Sequence, residues 1–331
     1  MTTSTATRLP VPLGLLMAVI AGMAMPAQGR VNGQLGDTLG DGVLAALISF
    51  GVGLVIILAI AAALPAGRRS VAAIPAAFRT RAFPWWYVFA GAFGAYFVIT
   101  QGLVVGVLGI AVFTVANVTG QTIGSMIVDG TGFGPGGRRP ITGLRVIATV
   151  IMLGAVVWAV SPQLGDAVAH PAALLLPMIL PFVGGILNGF QTAMNGTQTK
   201  HYGVFIPATL FNFAAGTVAL AVALGVERLW HHPTGELPHQ WWLYTGGLFG
   251  VIFISMASYL ARHLGVLLTS LGMIAGQLMG SLVMDALWPV AGKGVHLATV
   301  LGSLLAIAAV ALASVQPGAS MPWDRSRTRM R

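Results

Sequence analysis

Carboxamide side chains that could bind a polar solute occur twice in this chain with the same spacing. Gln28 and Asn32 belong to a Q-x-x-x-N-G motif, and Gln191 and Asn195 belong to a second copy 163 positions later. Residues four apart lie on one face of a helix, so each pair presents two amides side by side. Amides donate and accept hydrogen bonds without exchanging a proton. We predict that these four residues line a binding site; interhelical bonding that only holds a bundle together is the alternative.

A second duplicated motif combines glycines with another amide. The pattern G-Q-x-x-G-S starts at Gly120 and recurs at Gly276, 156 positions later. Small residues four apart allow helices to approach closely, so the glycines predict packing. Gln121 and Gln277 would then lie near a neighbouring helix or a cavity, and they are further candidates for the binding site.

Two acids end the same motif copies and are the only acids within long apolar stretches. Asp129 and Asp285 are therefore candidates for gating or proton coupling, because a charge retained in hydrocarbon is costly. Ion pairs at helix ends are the alternative. The available partners are basic residues nearby: Arg138, Arg139, Arg145 and Lys293.

A lone arginine lies near the end of the first apolar stretch. Arg30 is expected to pair with Asp37 or Asp41, and attraction of an anionic substrate is the second interpretation. We group it with the gating candidates.

No cofactor or metal site is predicted. Cysteine is absent, and the group of His231, His232, Glu236 and His239 lacks the helical H-E-x-x-H spacing of a zinc site. The glycine-rich segment 130–137 lacks the Gly-Lys-Ser/Thr ending of a phosphate loop. We interpret that segment as a flexible linker between spans.

The composition predicts a membrane protein. Apolar residues make up 56% of the 331 residues, charged residues only 8%, and the mean hydropathy is +0.85. A soluble domain carries about a quarter charged residues. Long stretches without Asp, Glu, Lys or Arg can each cross the hydrocarbon core, which takes about 20 residues. The predicted fold is an all-α polytopic bundle of ten transmembrane helices: 11–33, 42–64, 84–104, 107–129, 141–161, 172–197, 204–226, 240–261, 264–286 and 296–315.

The duplicated motifs divide these spans into two halves of five. We predict a first repeat over 11–161, a second over 172–315 and a basic cytoplasmic tail over 316–331. The uncharged stretch 82–128 must hold two crossings, with a turn through Gly102, Gly106 and Gly109. Because five is odd, the second half must enter the membrane from the opposite side, and such inverted repeats are the basis of alternating access.

Basic residues predict the orientation. With a cytoplasmic amino terminus, 14 of the 17 Lys and Arg residues lie in cytoplasmic segments, and the carboxyl terminus is cytoplasmic too. The net charge of +9 is therefore a topology signal and does not indicate nucleic-acid binding. The exceptions are the three outer residues Arg30, Arg228 and Lys293.

The chain resembles the drug/metabolite transporter superfamily, and within it the YdcZ-type branch of inner-membrane exporters. The resemblance rests on four segments: P-x-Q-x-x-x-N from Pro26, A-x-x-x-S-F-x-x-G from Ala45, G-Q-x-x-G-S-x-x-x-D from Gly120, and Arg138-Arg139-Pro140. It implies a substrate cavity between the halves, lined by the first four helices of each, with peripheral fifth and tenth helices. Small multidrug relatives use a glutamate in the first helix, whereas the first and sixth spans here contain none.

We therefore predict a secondary transporter of the inner membrane that moves a small polar metabolite or drug-like molecule outward. Its predicted partners are that solute, the lipid bilayer and a proton or cation gradient, and the protein would be a monomer or homodimer. Alternatives are an integral-membrane enzyme acting on lipid-linked substrates, which the scattered acids disfavour, and a non-transporting scaffold.

Overall fold

The computed structural model describes residues 9–161, 171–230, 236–287 and 296–315, apart from the side chains of 102, 105–112, 171–176 and 285. These residues form helices and connecting loops, with no strand among them. The helices are α1 Val11–Gly22, α2 Ala24–Leu39, α3 Gly42–Ala63, α4 Pro65–Ala72, α5 Ile74–Arg79, α6 Gly91–Thr131, α7 Gly143–Val160, α8 Pro171–Tyr202, α9 Ile206–Glu227, α10 Gly246–Leu264, α11 Val266–Leu287 and α12 Leu297–Ser314. The predicted tail 316–331 lies outside the described residues.

Seven of the described helical segments are long and apolar enough to cross a membrane, which confirms the all-α membrane class. Helix α2 and its equivalent in the second half, α8, extend beyond their predicted ends at 33 and 197. The largest buried apolar cluster joins α1, α7, α10, α11 and α12, while many large apolar side chains elsewhere face outward. Outward apolar surface on this scale is what a lipid-facing bundle requires.

The boundary between the third and fourth predicted spans differs from the prediction. The sequence predicts separate helices over 84–104 and 107–129, whereas the structure has one helical element, α6, from Gly91 to Thr131. That stretch contains no proline, a residue that removes a helical hydrogen bond. The residues before it, Trp85–Ala90, form a 3-10 turn.

Within the bounds of α6 the chain reverses direction, so α6 is not one straight helix. The ring centroids of Phe97 and Phe113 are 5.6 Å apart, whereas sixteen residues of straight helix would rise about 24 Å. Tyr96 in the first arm and Gly120 in the second arm both contact α8 near residues 180–182. The chain therefore turns back between Phe97 and Phe113, the region where the sequence predicts a turn.

The second half makes the corresponding turn with a break in the helix. Gly265 separates α10 from α11 and has a φ of +88°, a left-handed conformation that favours glycine. Gly109 occupies the equivalent position in the first half, 156 residues earlier. Both halves thus turn back at the same place in the repeat.

The second spans of the two halves, α3 and α9, pack by exchanging one contact. A Cβ built on Gly53 would overlap the ring of Phe213, and a Cβ built on Gly216 would overlap the ring of Phe50. The two rings lie 5.4 Å apart. Such an exchange, in which each copy uses the same two residues, is the mark of a two-fold relation.

Backbone contacts repeat the exchange elsewhere. A Cβ on Gly120 would overlap the carbonyl oxygen of Phe182, and a Cβ on the equivalent Gly276 would overlap that of Val19. Val19 and Phe182 are themselves equivalent positions, 163 residues apart. The G-Q-x-x-G-S motifs therefore serve close helix packing, as predicted from their spacing.

The equivalent helices α3 and α9 run antiparallel. Asp41, which begins α3, accepts a 2.8 Å hydrogen bond from Nη2 of Arg228, which follows the end of α9. Phe50 and Phe213 meet farther along the same pair. The start of one helix therefore lies beside the end of its counterpart.

Replacement of Gly120 by alanine should lower the thermal unfolding midpoint, because the new Cβ would overlap the Phe182 carbonyl. Overpacking of this kind costs about 1–3 kcal/mol. Gly154→Ala is the matched control, since nothing lies within 4 Å of a Cβ there and alanine favours the helix. Unfolding in detergent is the measurement; a midpoint for Gly120→Ala equal to that of Gly154→Ala would contradict the packing role.

Candidate functional site

An amide cluster lies between α8 and α9 in the second half. Gln191 Nε2 and Asn195 Nδ2 both donate to Oδ1 of Asn212, at 2.8 and 2.9 Å. All three side chains are buried, with no more than 5% of their surface exposed. The structure therefore brings together two predicted site residues, and it adds Asn212, which the sequence analysis did not single out.

This second-half amide cluster is only partly satisfied. Oδ1 of Asn195 and Nδ2 of Asn212 are buried without a hydrogen-bond partner among the described residues. A buried polar atom left unpaired costs about 1–3 kcal/mol, so water or a solute group is the expected partner. The cluster offers one acceptor and one donor for that purpose.

The first half carries a counterpart built on α2 and α3. Gln28 and Asn32 lie beside Ser49, which occupies the position equivalent to Asn212. The cluster faces α10 of the other half: a Cβ on Gly250 would lie 2.9 Å from Gln28 Nε2, and one on Gly246 would lie 2.9 Å from Ser49 Oγ. The Ser49 hydroxyl and the Asn32 carbonyl oxygen have no partner among the described residues. We call this group the first-half amide cluster.

The phenylalanine pair lies between the two clusters. A Cβ on Gly94 would lie 3.1 Å from Gln191 Nε2 and 3.5 Å from Phe50 Cζ, so that glutamine and ring approach the same point. Asn32 lies seven residues before the end of α2, and Asn195 lies seven residues before the end of α8. This spacing places the two clusters about 10 Å from opposite ends of the bundle. The clusters could therefore offer successive polar contacts along one path.

The glutamines of the second motif occupy different surroundings. Gln121 is buried where α6 packs on α8, and a Cβ on Gly185 would lie 2.5 Å from its backbone nitrogen. The neighbouring Ser125 shares a 2.8 Å hydrogen bond with Ser270 of α11. Gln277 is half-buried on α11. Among the described residues, neither glutamine side chain forms a hydrogen bond with the amide clusters, and their role in binding stays a prediction.

Asp129 binds backbone at a helix end. Its carboxylate accepts hydrogen bonds from the backbone N–H groups of Val266 and Leu267, at 2.9 and 3.1 Å, and so caps the start of α11. Negative charge is favoured at a helix amino terminus. Asp129 therefore binds backbone amides and, among the residues described, does not form the ion pair of the predicted alternative, and its gating or coupling role stays a prediction.

Arg139 binds the other side of the same break. Nη1 donates to the carbonyl of Leu264 at 2.5 Å and Nη2 to that of His263 at 3.2 Å, which caps the end of α10. Burial lowers the pKa of the Arg139 guanidinium, while the nearby Asp129 raises it. Asp129 and Arg139 thus hold both helix ends at Gly265; together they are called the α10–α11 clamp.

The remaining gating candidates are less defined. The side chain of Asp285 and residue Lys293 lie outside the described residues, so the role of Asp285 stays a prediction. Asp41 pairs with Arg228 across the two halves, and the expected pairing of Arg30 with Asp37 or Asp41 stays a prediction. The ion-pair partner of Asp41 depends on how α3 and α9 pack, and the spacing of residues in the sequence does not reveal that packing.

Basic residues collect at one end of the bundle, as the orientation analysis requires. Arg139 reaches the end of α10, Lys200 binds the carbonyl of Pro135 at 2.8 Å, and Arg262 binds that of Gly203 at 3.0 Å. Arg139 lies in the connection between α6 and α7, whereas Lys200 and Arg262 lie in the last turns of α8 and α10. We call this end of the molecule the basic end.

Comparison with known proteins gives the class. A family model described as "Putative inner membrane exporter, YdcZ" matches residues 13–158 and 176–312, one match to each half. The protein is therefore a multi-pass inner-membrane protein of the transporter class. It belongs to the YdcZ family of the drug/metabolite transporters.

A solved structure described only as "Crystal structure of protein" has the same fold, with a TM-score of 0.57 at 14% identity. The match covers 92% of this chain and 96% of that one. No curated protein matches the sequence. Among the described residues, no group of three or more His, Asp or Glu side chains could hold a metal ion.

Removal of the Asn212 amide should destabilise the protein, because Gln191 and Asn195 would lose their shared acceptor. We expect Asn212→Ala to cost about 1–3 kcal/mol, visible as a lower thermal unfolding midpoint. Ser49→Ala is the matched change in the other half, and it should cost less because the Ser49 hydroxyl has no partner among the described residues. Equal decreases in the unfolding midpoint of the two variants would show that the hydrogen bonds to Asn212 do not stabilise the protein as proposed.

Proposed function

We propose that the protein is a secondary transporter that moves a small, uncharged or weakly charged polar solute outward by alternating access. Ten helical crossings in two inverted five-helix repeats would carry this mechanism. The observation that supports it best is the antiparallel packing of the equivalent helices α3 and α9, with contacts exchanged between Phe50, Gly53, Phe213 and Gly216. Equivalent elements that run in opposite directions are what inverted repeats require.

The mechanism follows from two like halves in unlike conformations. The second half turns at Gly265, where Asp129 and Arg139 hold both helix ends, and the first half turns between Phe97 and Phe113 of α6. If the halves exchange conformations, the open and closed ends of the path exchange as well. The return of α6 between Phe97 and Phe113 supports two crossings in that stretch, as a count of ten would require.

The chemistry of the two amide clusters favours a neutral cargo. The binding residues would be Gln28, Asn32, Gln191 and Asn195, with Ser49 and Asn212 added by the structure and Gln121 and Gln277 as further candidates. None of them is charged, and Asp129 is engaged by backbone amides. A site of donors and acceptors without net charge selects solutes that can hydrogen-bond but need no counter-ion.

The remaining features of the proposal concern energy and setting. The sequence contains no nucleotide-binding motif, so a proton or cation gradient would drive transport. Both termini would be cytoplasmic, with the basic end facing the cytoplasm. The protein would act as a monomer or homodimer in the lipid bilayer.

A ligand screen followed by two substitutions tests the binding site. Purified protein is screened for metabolites that raise its unfolding midpoint. Gln28→Ala and Gln191→Ala should then weaken the affinity for such a solute about tenfold, the equivalent of about 1.4 kcal/mol. Asn188→Ala, on the same helix as Gln191 but with no side-chain hydrogen bond among the described residues, is the control. Unchanged affinity and unchanged flux into liposomes in both glutamine variants would favour a scaffold or a different site.

Orientation is tested with single cysteines, since the natural sequence has none. We expect Arg68→Cys and Trp230→Cys to react with a membrane-impermeant maleimide from opposite sides, because they follow the ends of the antiparallel helices α3 and α9. Both positions are exposed. Labelling of both from one side would rule out inverted repeats.

A further inference from the structure

The glycine-rich segment between α6 and α7 is packed into the basic end, although its sequence predicts a flexible linker. Phe133 contacts three aromatic rings from two other segments, with centroid distances of 5.9 Å to Trp86, 5.5 Å to Tyr87 and 5.2 Å to Phe190. The first two rings belong to the 3-10 turn before α6, and the third belongs to α8. Contacts of this number fix the position of the segment.

Pro135 places the same segment over the second-half amide cluster. A Cβ on Gly196 would lie 2.9 Å from Pro135 Cγ, and the Pro135 carbonyl accepts the 2.8 Å bond from Lys200. Gly196 directly follows Asn195. The segment therefore covers α8 at the point where the polar contacts of that cluster begin.

Arg139 ends the segment and ties it to the other half of the molecule. Its guanidinium caps α10, while its backbone N–H donates to the carbonyl oxygen of Asp129 at 2.8 Å. A segment of the first half is thus held by the α10–α11 clamp of the second half. Its neighbour Arg138 binds the carbonyl of Gly130 at 3.0 Å, within the first half, and no other side-chain hydrogen bond of Arg138 occurs in the described part of the chain.

The opposite end of the bundle has a different shape. An open pocket of about 330 Å³ lies there between α2 and the 3-10 turn Trp241–Tyr244. Its lining is polar and aromatic: Gln34, Asp37, Thr38, Gln240, Trp242 and Leu243. One end therefore holds a filled aromatic contact, and the other holds a solvent-accessible recess.

We propose that residues 132–139 form the gate that closes the basic end of the transport path, with Phe133 as its plug and Arg139 as its latch. This inference rests on the proposed transport function. Release of Arg139 from the α10 carbonyls would free the segment, and withdrawal of Phe133 from its aromatic neighbours would uncover α8 beside Asn195. The state described here has this gate closed.

Thr199 provides a buried reporter beside the gate, since the next residue, Lys200, binds the carbonyl of Pro135. It is fully buried one helical turn beyond Asn195, and its hydroxyl has no partner among the described residues, so Thr199→Cys is a mild change. A membrane-impermeant maleimide is added to the face from which Arg68→Cys reacts, and the labelling rate is measured. We expect slow labelling with the natural gate and about tenfold faster labelling when Arg139→Gln is added, which corresponds to 1.4 kcal/mol in the opening equilibrium.

Arg138→Gln is the matched control, because it removes the same charge from the next residue without touching α10, and it should leave the rate unchanged. Ser303→Cys, buried on α12, monitors general unfolding and should stay unreactive in every background. If Arg139→Gln aggregates on size exclusion, Phe133→Leu carries the test through the loss of the ring contacts.

Equal Thr199→Cys rates in folded Arg139→Gln and Arg138→Gln proteins would overturn the gate, as would acceleration matched by Ser303→Cys. Because labelling requires no substrate, a negative transport assay would not affect this result. Conversely, a failed gate would leave the amide clusters and their ligand screen untouched.

Discussion

Close approach of helix backbones at glycine is the constraint on which this structure depends. In lipid, apolar side chains gain little by leaving their surroundings, so helices associate through packing and hydrogen bonds. Gly120 and Gly276 allow α6 and α11 to lie against α8 and α1 at backbone distance, and Gly53 and Gly216 each receive a phenylalanine ring. Larger residues at these points would force the helices apart, and the polar contacts between them would be lost.

The same packing explains why polar side chains can be retained at this depth. Gln191 lies against Gly94 and reaches Asn212, and Gln28 lies against Gly250. A glycine opposite each glutamine leaves room for an amide that would otherwise be excluded from a helix contact. Polar contacts of this kind are individually worth little, on the order of 0.6 kcal/mol in membranes. Such weak contacts suit groups that must change partners during a transport cycle.

The repeats, the membrane class and the packing role of the glycines could be read from the sequence, because each depends on residue type and periodic spacing. The contacts between residues that are far apart in the sequence could not be predicted in this way. Asp129 has arginines close by in sequence, yet it caps α11, because the tertiary packing brings two free backbone N–H groups to it. Asn212 was not singled out, although an asparagine in an apolar span 163 residues after Ser49 was a detectable signal. The glycines of segment 130–137 predicted a flexible linker. The contacts that fix the segment could not be foreseen, because the aromatic neighbours of Phe133 come from distant parts of the chain.

The differences between the two halves matter for alternating access as much as their similarity does. Exact symmetry would give both ends of the path the same conformation, and neither could be closed while the other was open. Here the second half has Asn212 where the first has Ser49, so only in the second-half amide cluster do the glutamine and the asparagine share an acceptor. Each cluster leaves two buried polar atoms without a partner among the described residues. The clamp at Gly265 likewise fixes the turn of the second half. A solute would meet a cluster preorganised by Asn212 near the basic end and one without that shared acceptor toward the pocket. Its binding energy can therefore differ between the two states, and only such a difference allows a ligand to shift their populations.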